Sequence, residues 1–386
     1  MRVKTYKLAI IITILTFVIF STSELQSKVK ILKTPNNGLQ PKVKVDQSGQ
    51  VHLLYFKGRP EAGDLFYVRK STNGKFTDPI KVNSIPGSAV SIGTIRGAQF
   101  TVGANNIVHV VWNGSIKTRS DSNSAPAMYY TQLMENKKEF EPQRVISEKW
   151  PVDGGGAITS DKRGNVYVFW HSASKGSEEK NRQVFLRVSS DGGKQFGEER
   201  VISPKGTGVC GCCAMQADSD SKGQIYVVYR TARNNKNRDI SFLVSQDSGK
   251  TFQGKILDRW RLEACPMSSM SFGEVERGML VGWETKNQVQ IAPVAKGSVN
   301  AGKIISPSDS KKSSKHPVFA VSPEGNVLIT WTEGTGWKKG GTIAWREYDS
   351  SMRPTSEVGR LPAGVSVWSF VASYYDANDG FFYILH

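Results

Sequence analysis

The segments SSDGGKQF at residues 189–196 and SQDSGKTF at residues 245–252 share the pattern Ser-x-Asp-x-Gly-x-x-Phe. Each follows an alternating apolar run, VFLRVS or ISFLVS, which is typical of a β-strand. The Asp carboxylate can accept backbone hydrogen bonds in the turn, the Gly supplies a positive φ, and the aromatic ring opens the next strand. The two copies predict a repeated β-hairpin. Its turn residues are Ser189, Asp191, Gly193 and Phe196 in the first copy, and Ser245, Asp247, Gly249 and Phe252 in the second.

A wider repeat runs through the chain, in which a Gly-containing turn is followed by a short apolar run that ends near an aromatic residue. The runs are VHLLYF (51–56), IVHVVW (107–112), VYVFW (166–170), IYVVY (225–229), LVGW (280–283), VLITW (327–331) and FFYIL (381–385). A period of about 50 residues with a hairpin in every unit predicts an all-β protein, a β-propeller of four-stranded antiparallel blades. Seven blades are favoured, and six blades with an extra hairpin are the alternative.

The last unit has only two runs, and the N-terminal segment KVKILK (28–33) resembles a separate outer strand. Pairing the two ends of the chain in one composite blade would close the ring and remove its open edges. We therefore expect the seventh blade to combine strands from both termini.

The N-terminus has Arg2, Lys4 and Lys7 before a largely apolar run at residues 8–20. Because this run is short for a membrane span, we predict a secretory signal peptide at 1–23 and a single propeller domain at 24–386. The mature protein would be extracellular or periplasmic, without a stable membrane span, and a monomer. An uncleaved anchor is the alternative.

The formal net charge is +17, and removal of the three N-terminal cations leaves it strongly positive. Such a surplus attracts anionic partners. Export excludes nucleic acid as the expected partner, so an acidic carbohydrate or another anionic ligand is favoured. A generally cationic surface without a specific partner is the alternative.

The Ser-x-Asp-x-Gly-x-x-Phe turns resemble the Asp-box (BNR repeat) of sialidase-like propellers, and the resemblance covers most of the chain beyond residue 28. It implies a sugar carboxylate held by three arginines, a Tyr nucleophile assisted by a Glu, and an Asp acid/base. Arg230 lies where the family has one of these arginines. The region of Cys212 and Cys213 replaces the family's Glu.

The other sialidase roles are only partly matched. Arg96, one blade later than the family has its first-blade arginine, is a partial match to a second arginine. If the family's pattern is aligned at Arg96, Asp121 falls near the acid/base position and Trp368 near the Tyr position. If the pattern is aligned at the first blade instead, Asp64 is the acid/base candidate. Neither alignment supplies a full set of catalytic groups, so function has to be argued from the site.

Alternation of strands predicts that the second-to-third loops and the blade-joining loops lie on the face opposite the repeated turns. Several cationic, aromatic and acidic residues fall in these loops, a combination that indicates a ligand site. The ligand-binding candidates are Arg96, Arg230, Arg238, His171, Trp260, Trp337 and Trp368. The catalytic candidates are Asp153, Glu284 and Glu333. Each tryptophan alone is equally well explained by packing between blades.

All four cysteines fall in two neighbouring blade-joining loops, Cys210, Cys212 and Cys213 in one and Cys265 in the other. An even number in an exported chain favours disulfides, with Cys265 paired to one of the other three. A soft-metal or redox site near His171 and His316 is the alternative, but the spacing matches no zinc motif, and we expect no metal or cofactor.

Three hypotheses of function result. The leading one is an exported propeller that binds acidic glycans, with hydrolysis of the exo-sialidase type as its enzymatic form. The second is a non-catalytic binding propeller at the cell surface. The third is a metal or redox protein built on the cysteine cluster.

Overall fold

Seven β-sheets account for nearly all regular structure in the computed structural model of the chain, which describes residues 27–71, 73–93, 97–118, 126–147, 152, 154–174 and 177–386. Strand β1 spans Val29–Leu32. Blade 1 contains β2 (Leu39–Val45), β3 (Val51–Arg59), β4 (Ala62–Arg69) and β5 (Ile80–Lys81). Blade 2 contains β6 (Gln99–Val102), β7 (Val108–Asn113), β8 (Met128–Leu133) and β9 (Arg144–Val145).

The remaining blades follow in chain order. Blade 3 contains β10 (Ala157–Ser160), β11 (Val166–Ser172), β12 (Gln183–Ser189) and β13 (Arg200–Val201). Blade 4 contains β14 (Gln216–Ser219), β15 (Ile225–Arg230), β16 (Ile240–Ser245) and β17 (Gln253–Asp258). Blade 5 contains β18 (Ser271–Val275), β19 (Gly278–Thr285) and β20 (Gln288–Ala295). Blade 6 contains β21 (Ser314–Val321), β22 (Val327–Glu333), β23 (Gly341–Tyr348) and β24 (Pro354–Val365). Blade 7 contains β25 (Ala372–Asp376), β26 (Phe381–Leu385) and β1.

The predicted all-β propeller with seven blades, the last of them composite, is confirmed. Two blades differ in detail from a regular four-stranded antiparallel sheet. In blade 5 the outer position is occupied by two isolated bridges, Ile291 with Ile305 and Val294 with Ala301. In blade 7, β1 pairs with β26 in parallel, because no hairpin connects them to impose the antiparallel direction.

The ring closes where blade 7 meets blade 1. The backbone N–H of Gln40 donates to Ser369 Oγ at 2.9 Å, and the buried Lys70 ammonium pairs with the Asp376 carboxylate. The closure therefore joins β2 and the segment after β4 to the last blade, with both charged groups shielded from water.

Hydrophobic clusters fill the spaces between neighbouring blades. The cluster between blades 1 and 2, for example, contains Phe56 and Trp112, each at the end of a second strand. The equivalent aromatics of other blades, Trp170, Trp283 and Trp331, are also fully buried. The aromatic residue that ends the repeated run is thus a packing residue.

Helical structure among the described residues is limited to 3₁₀ turns, which are Pro35–Asn37, Ala104–Asn106, Ile116–Thr118 and Glu179–Asn181. Within this part of the chain no helix has the length and apolar character needed to cross a bilayer. The predicted signal peptide at 1–23 lies outside the described residues.

Alternating strand directions give the propeller two different faces. Here the turn face is the end carrying the first-to-second and third-to-fourth connections, including residues 189–196 and 245–252. Its members contact each other across blades, since Arg163 Nη2 donates to Ser248 Oγ at 2.6 Å. The loop face is the opposite end, with the second-to-third and blade-joining loops.

Candidate functional site

The two repeated turns have matching hydrogen bonds. In the first, Ser189 Oγ lies 2.7 Å from Asp191 Oδ1 and accepts from Gly193 N at 2.8 Å. In the second, Ser245 Oγ lies 2.8 Å from Asp247 Oδ1 and accepts from Gly249 N at 2.8 Å. Each Asp Oδ1 also accepts a backbone N–H four residues later, at 3.0 and 2.9 Å.

Each repeated turn is attached to the preceding blade by the same pair of contacts. Phe196 packs edge-on against Tyr130 of blade 2, and Phe252 packs edge-on against Phe169 of blade 3. Arg144 and Arg200, which lie on the outer strands of those blades, donate to carbonyls of the next turn. The turn face therefore holds blades together.

Arg230 lies at the end of β15 on the loop face, and its side chain is entirely buried and engaged within the protein. Its Nη1 donates to Arg238 O at 2.8 Å, and its Nη2 donates to Ser268 Oγ at 3.2 Å and lies 3.4 Å from Glu284 Oε2. The indole of Trp260 lies against the guanidinium, 5.2 Å from ring centroid to Cζ. This arginine stabilises the junction of blades 4 and 5.

The catalytic candidates Glu284 and Glu333 are both buried and paired. Burial raises the pKa of Glu284 despite the nearby Arg230, and its Oε1 accepts from Asn287 N at 3.1 Å. Glu333 accepts from Trp331 Nε1 at 3.1 Å and from Arg360 Nε at 3.2 Å. Neither carboxyl group is presented to solvent.

Three thiols meet on the loop that enters blade 4. Cys210 Sγ lies 3.4 Å from Cys212 Sγ and 3.4 Å from Cys213 Sγ. Cys210 and Cys213 are buried and Cys212 is half-buried. Among the described residues this is the one group of three or more His, Cys, Asp and Glu side chains whose ligand atoms lie within 4.8 Å of each other.

The structure contains none of the predicted disulfides, and all four cysteines are unpaired in it. Cys265 is exposed on the next blade-joining loop, whereas the other three pack against one another. The structure therefore does not show the expected pairing of Cys265 with Cys210, Cys212 or Cys213.

The pKa values of two of the three thiols are shifted in opposite directions. Although burial alone would raise it, the pKa of Cys213 is lowered, because Cys210 donates to its sulfur and Arg230 lies nearby. The pKa of Cys212 is raised, chiefly because its hydrogen bond to Cys210 keeps it protonated. Close packing of the thiols thus lowers the pKa of one and raises that of its neighbour.

Backbone contacts from three directions fix the cysteine loop. Cys210 N donates to Arg230 O at 2.9 Å, Gly211 N donates to Glu179 Oε1 at 2.6 Å, and Ala214 N donates to Ser268 O at 3.1 Å. The other carboxylate oxygen of Glu179 accepts from Arg238 Nη1 at 2.6 Å. Arg238 is therefore a structural partner of the cysteine loop.

The two predicted histidines have different neighbours in this region. A Cβ on Gly154, which has a φ of +70°, would lie 2.3 Å from His171 Nε2 and 3.0 Å from Gly211 O, so only glycine fits between the imidazole and the cysteine loop. His316, on β21, lies 2.9 Å from Ser269 Oγ through its Nδ1. Burial, aided by nearby Lys315 and Lys42, lowers the pKa of His316 to about 3.

A small cleft opens beside His316 on the loop face. Trp337 and Trp368 form one side, edge to face with centroids 4.6 Å apart, and Trp337 is 54% exposed. The remaining lining residues are Gly93, Met267, His316, Thr335, Gly336, Lys339 and Ser369. This cleft has the most accessible aromatic surface among the described candidate residues.

The predicted site residues thus fall into separate groups. Arg230, Arg238, Trp260 and Glu284 surround the cysteine loop, Trp337 and Trp368 form the cleft, and Glu333 lies in a blade 6 network. Arg96, Asp121 and Asp153 lie outside the described residues. Asp64, the other acid/base candidate, is paired with Lys81 at 3.1 Å and accepts from Asn83 Nδ2 at 2.8 Å.

Sequence reasoning missed three residues that organise this face, Glu179, Ser268 and Lys315. Lys315 Nζ donates to Pro266 O at 2.5 Å, which fixes the loop containing Ser268. None of them stands in a motif, and their partners lie tens of residues away. The one available signal was their position in loops next to predicted candidates.

No protein-family model and no curated protein matches this sequence. Solved structures with a similar fold include a protein of unknown function from Dyadobacter fermentans, at 15% identity and a TM-score of 0.54, over 77% of this chain and 91% of that one. A Hadza microbial sialidase matches at 12% identity and a TM-score of 0.50, over 82% of this chain and 69% of that one.

A sialidase of Trypanosoma rangeli in complex with the inhibitor DANA matches at 10% identity and a TM-score of 0.50, over 80% of this chain and 53% of that one. The chain is a seven-bladed propeller that resembles sialidases in fold. At these identities the likeness extends to the fold alone.

Proposed function

We propose that this protein is an exported propeller that binds an anionic carbohydrate at the cleft of Trp337 and Trp368. The observation that carries the proposal is the exposed tryptophan pair at the loop face. Flat aromatic faces bind the apolar faces of sugar rings, while their edges leave polar groups free for other contacts. Here one ring is 54% exposed and the other supports it edge-on.

Charge supports an acidic ligand. Lys339 lines the cleft, Lys338 is exposed beside it, and the whole chain carries a formal charge of +17. A positive surface raises the local concentration of an anionic glycan and makes its binding depend on salt. The likeness to sialidases in fold is consistent with a carbohydrate ligand.

The proposed activity is binding without hydrolysis. Glycoside hydrolysis needs a pair of carboxyl groups that reach the glycosidic bond. Of the predicted catalytic residues that are described, Glu284 is buried against Arg230 and Glu333 is buried against Arg360. Both are committed to structural ion pairs, which favours a lectin-like role.

The proposal is tested with the mature protein on a panel of acidic and matched neutral glycans, reading both bound and released sugar. We expect acidic glycans to bind without release. The Trp337→Ala variant should bind at least about 10-fold more weakly, since loss of a well-packed aromatic contact costs more than about 1.4 kcal/mol.

The matched control is Val358→Ala, which truncates another exposed apolar side chain of blade 6, on the outer strand. It should bind like the wild type. Equal binding by Trp337→Ala, or equal affinity for neutral and acidic glycans, would contradict the proposal. Release of sugar that requires Glu333 would replace it with a hydrolase.

A further inference from the structure

We propose that Cys210, Cys212 and Cys213 form a three-coordinate site for a soft monovalent metal ion, copper(I). This site is separate from the proposed carbohydrate cleft. Thiolates are the ligands that copper(I) prefers in proteins.

The sulfur positions come close to those such an ion requires. A metal–sulfur distance of about 2.3 Å places the sulfurs of a planar three-coordinate centre about 4 Å apart. The two sulfur–sulfur distances to Cys210 are 3.4 Å, and all three sulfurs lie within 4.8 Å of each other. A small outward movement of the thiols would admit the ion.

The loop is pre-organised for this geometry. Its backbone is held at Cys210, Gly211 and Ala214 by groups from blade 3, blade 4 and the loop before blade 5. Metal binding therefore need not order a flexible segment, which removes much of the entropic cost of assembling three ligands.

Local charge suits a metal–thiolate complex. A monovalent ion bound by three thiolates has a net double negative charge, because every ligand must lose its proton. Arg230 lies close enough to Cys213, and Arg238 to Cys210, to act on these thiols electrostatically. Two guanidinium groups therefore lie near the sulfurs that would carry the negative charge.

The coordination number favours copper(I) over zinc. Zinc in structural sites takes four ligands in a tetrahedron. The hydroxyl of Ser268, 3.9 Å from Cys213 Sγ, is a poor soft ligand and already accepts from Arg230. The Nδ1 of His316 is hydrogen-bonded with Ser269. Among the described residues no His, Asp or Glu ligand atom joins the three sulfurs within 4.8 Å, so the three thiols match a trigonal ion.

The site is tested by anaerobic titration of the full mature protein with copper(I) supplied as its bicinchoninate complex. Transfer of the metal to the protein is measured as the loss of absorbance of the copper(I)–bicinchoninate complex. We expect one copper(I) per chain, with Cys212→Ser and Cys213→Ser binding at least about 100-fold more weakly, since loss of a direct ligand exceeds the effect of losing a supporting contact.

Cys265→Ser is the matched control, because it removes an exposed thiol outside the cluster. It should bind copper(I) like the wild type. Cys212 is half-buried, so its serine variant keeps the test valid if Cys213→Ser fails to fold; heat unfolding of each variant identifies such failure. Copper should also raise the unfolding temperature of wild type and Cys265→Ser alone.

Three results would overturn the inference. They are unchanged copper(I) affinity in folded Cys212→Ser, loss of binding in Cys265→Ser, and zinc binding to the three thiols more tightly than copper(I). Fewer than four thiols in protein isolated without reductant and then unfolded with a copper(I) chelator would also overturn it, because a disulfide would occupy the ligands. All these outcomes are independent of glycan binding.

Discussion

Blades 3 and 4 are nearly identical on the turn face and different on the loop face. On the turn face, residues 189–196 and 245–252 repeat the same bonds and the same contacts with the preceding blade. On the loop face, one of these blades is entered by three clustered thiols and contributes a buried arginine, whereas the other contributes Glu179 and His171. The features that repeat between the two blades are structural, whereas the chemically reactive groups lie where the two blades differ.

The two faces also differ in how they hold charge. Asp191 and Asp247 lie near solvent, and hydrogen bonds within their own turns lower the pKa of both carboxyl groups. Arg230 and Glu284 are fully buried and depend on each other. Substitutions should therefore cost far more on the loop face.

The largest expected effect is at Arg230. Replacing it in Arg230→Met leaves the Glu284 carboxyl group buried without its partner, which should lower the free energy of unfolding by about 3–5 kcal/mol. Chemical denaturation measures this change. The double variant Arg230→Met with Glu284→Leu should recover much of the loss, and a double variant as unstable as the single one would contradict the pairing argument.

A smaller effect is expected on stability at acid pH. It involves two buried histidines, one on each face. Burial lowers the pKa of His316 on the loop face, and of His109 on the turn face, to about 3. The unfolded chain binds these protons near pH 6.5 while the folded state does not, so stability is present above pH 6.5 and is lost as pH falls toward 3. At pH 5 each histidine should cost about 2 kcal/mol.

The check is to measure unfolding at pH 7 and pH 5 in His316→Asn and His109→Asn. The decline between the two pH values should shrink in each variant by about 2 kcal/mol. Asparagine is chosen because His316 has a φ of 55°, which asparagine tolerates. An unchanged decline at either position would mean that the imidazole is protonated in the folded state.

Next in size is the loss of a repeated turn. Asp247→Ala removes the acceptor of Thr251 N and Thr251 Oγ1 and should cost about 1–2 kcal/mol, whereas Asp191→Ala removes only the acceptor of Gln195 N at that position and should cost about 1 kcal/mol. Exposed Asp78, in the corresponding connection of blade 1, is the control and should stay within about 0.5 kcal/mol on thermal unfolding. A larger cost for Asp191→Ala than for Asp247→Ala would contradict this comparison of the two turns.

The smallest expected effect on stability is at Trp337. Because the ring is 54% exposed, Trp337→Ala should change the free energy of unfolding by less than about 0.5 kcal/mol while weakening glycan binding. A large loss of stability would instead make the tryptophan a packing residue.

The architecture could be predicted from sequence because each blade carries its own local signals. Alternating runs ending in Trp112, Trp170 or Trp331 mark second strands, and Gly-containing turns mark the connections between strands. Even the composite blade was indicated by the segment at 28–33, although its parallel pairing was not.

The sequence predicted which loops form the loop face, but it did not predict which of their residues contact each other. The partner of Arg230 is Glu284, which lies 54 residues away, and no spacing rule connects them. The even number of cysteines in a chain expected to be exported suggested disulfides, but Cys265 is exposed and lies outside the cluster of the other three. Long-range packing decides which loop residues meet, so residue type alone identified candidates without their partners.

The parallel pairing of β1 with β26 has a consequence for biogenesis. Strand β1 cannot pair until β26 has been made, so the residues of blades 1 to 6 are all synthesised before blade 7 can be completed. The last step of folding then joins the most distant segments in the sequence, and contacts of such separation form slowly. Until that step, the sheet edges beside the gap stay open to other chains, which makes the unfinished ring the form most vulnerable to aggregation.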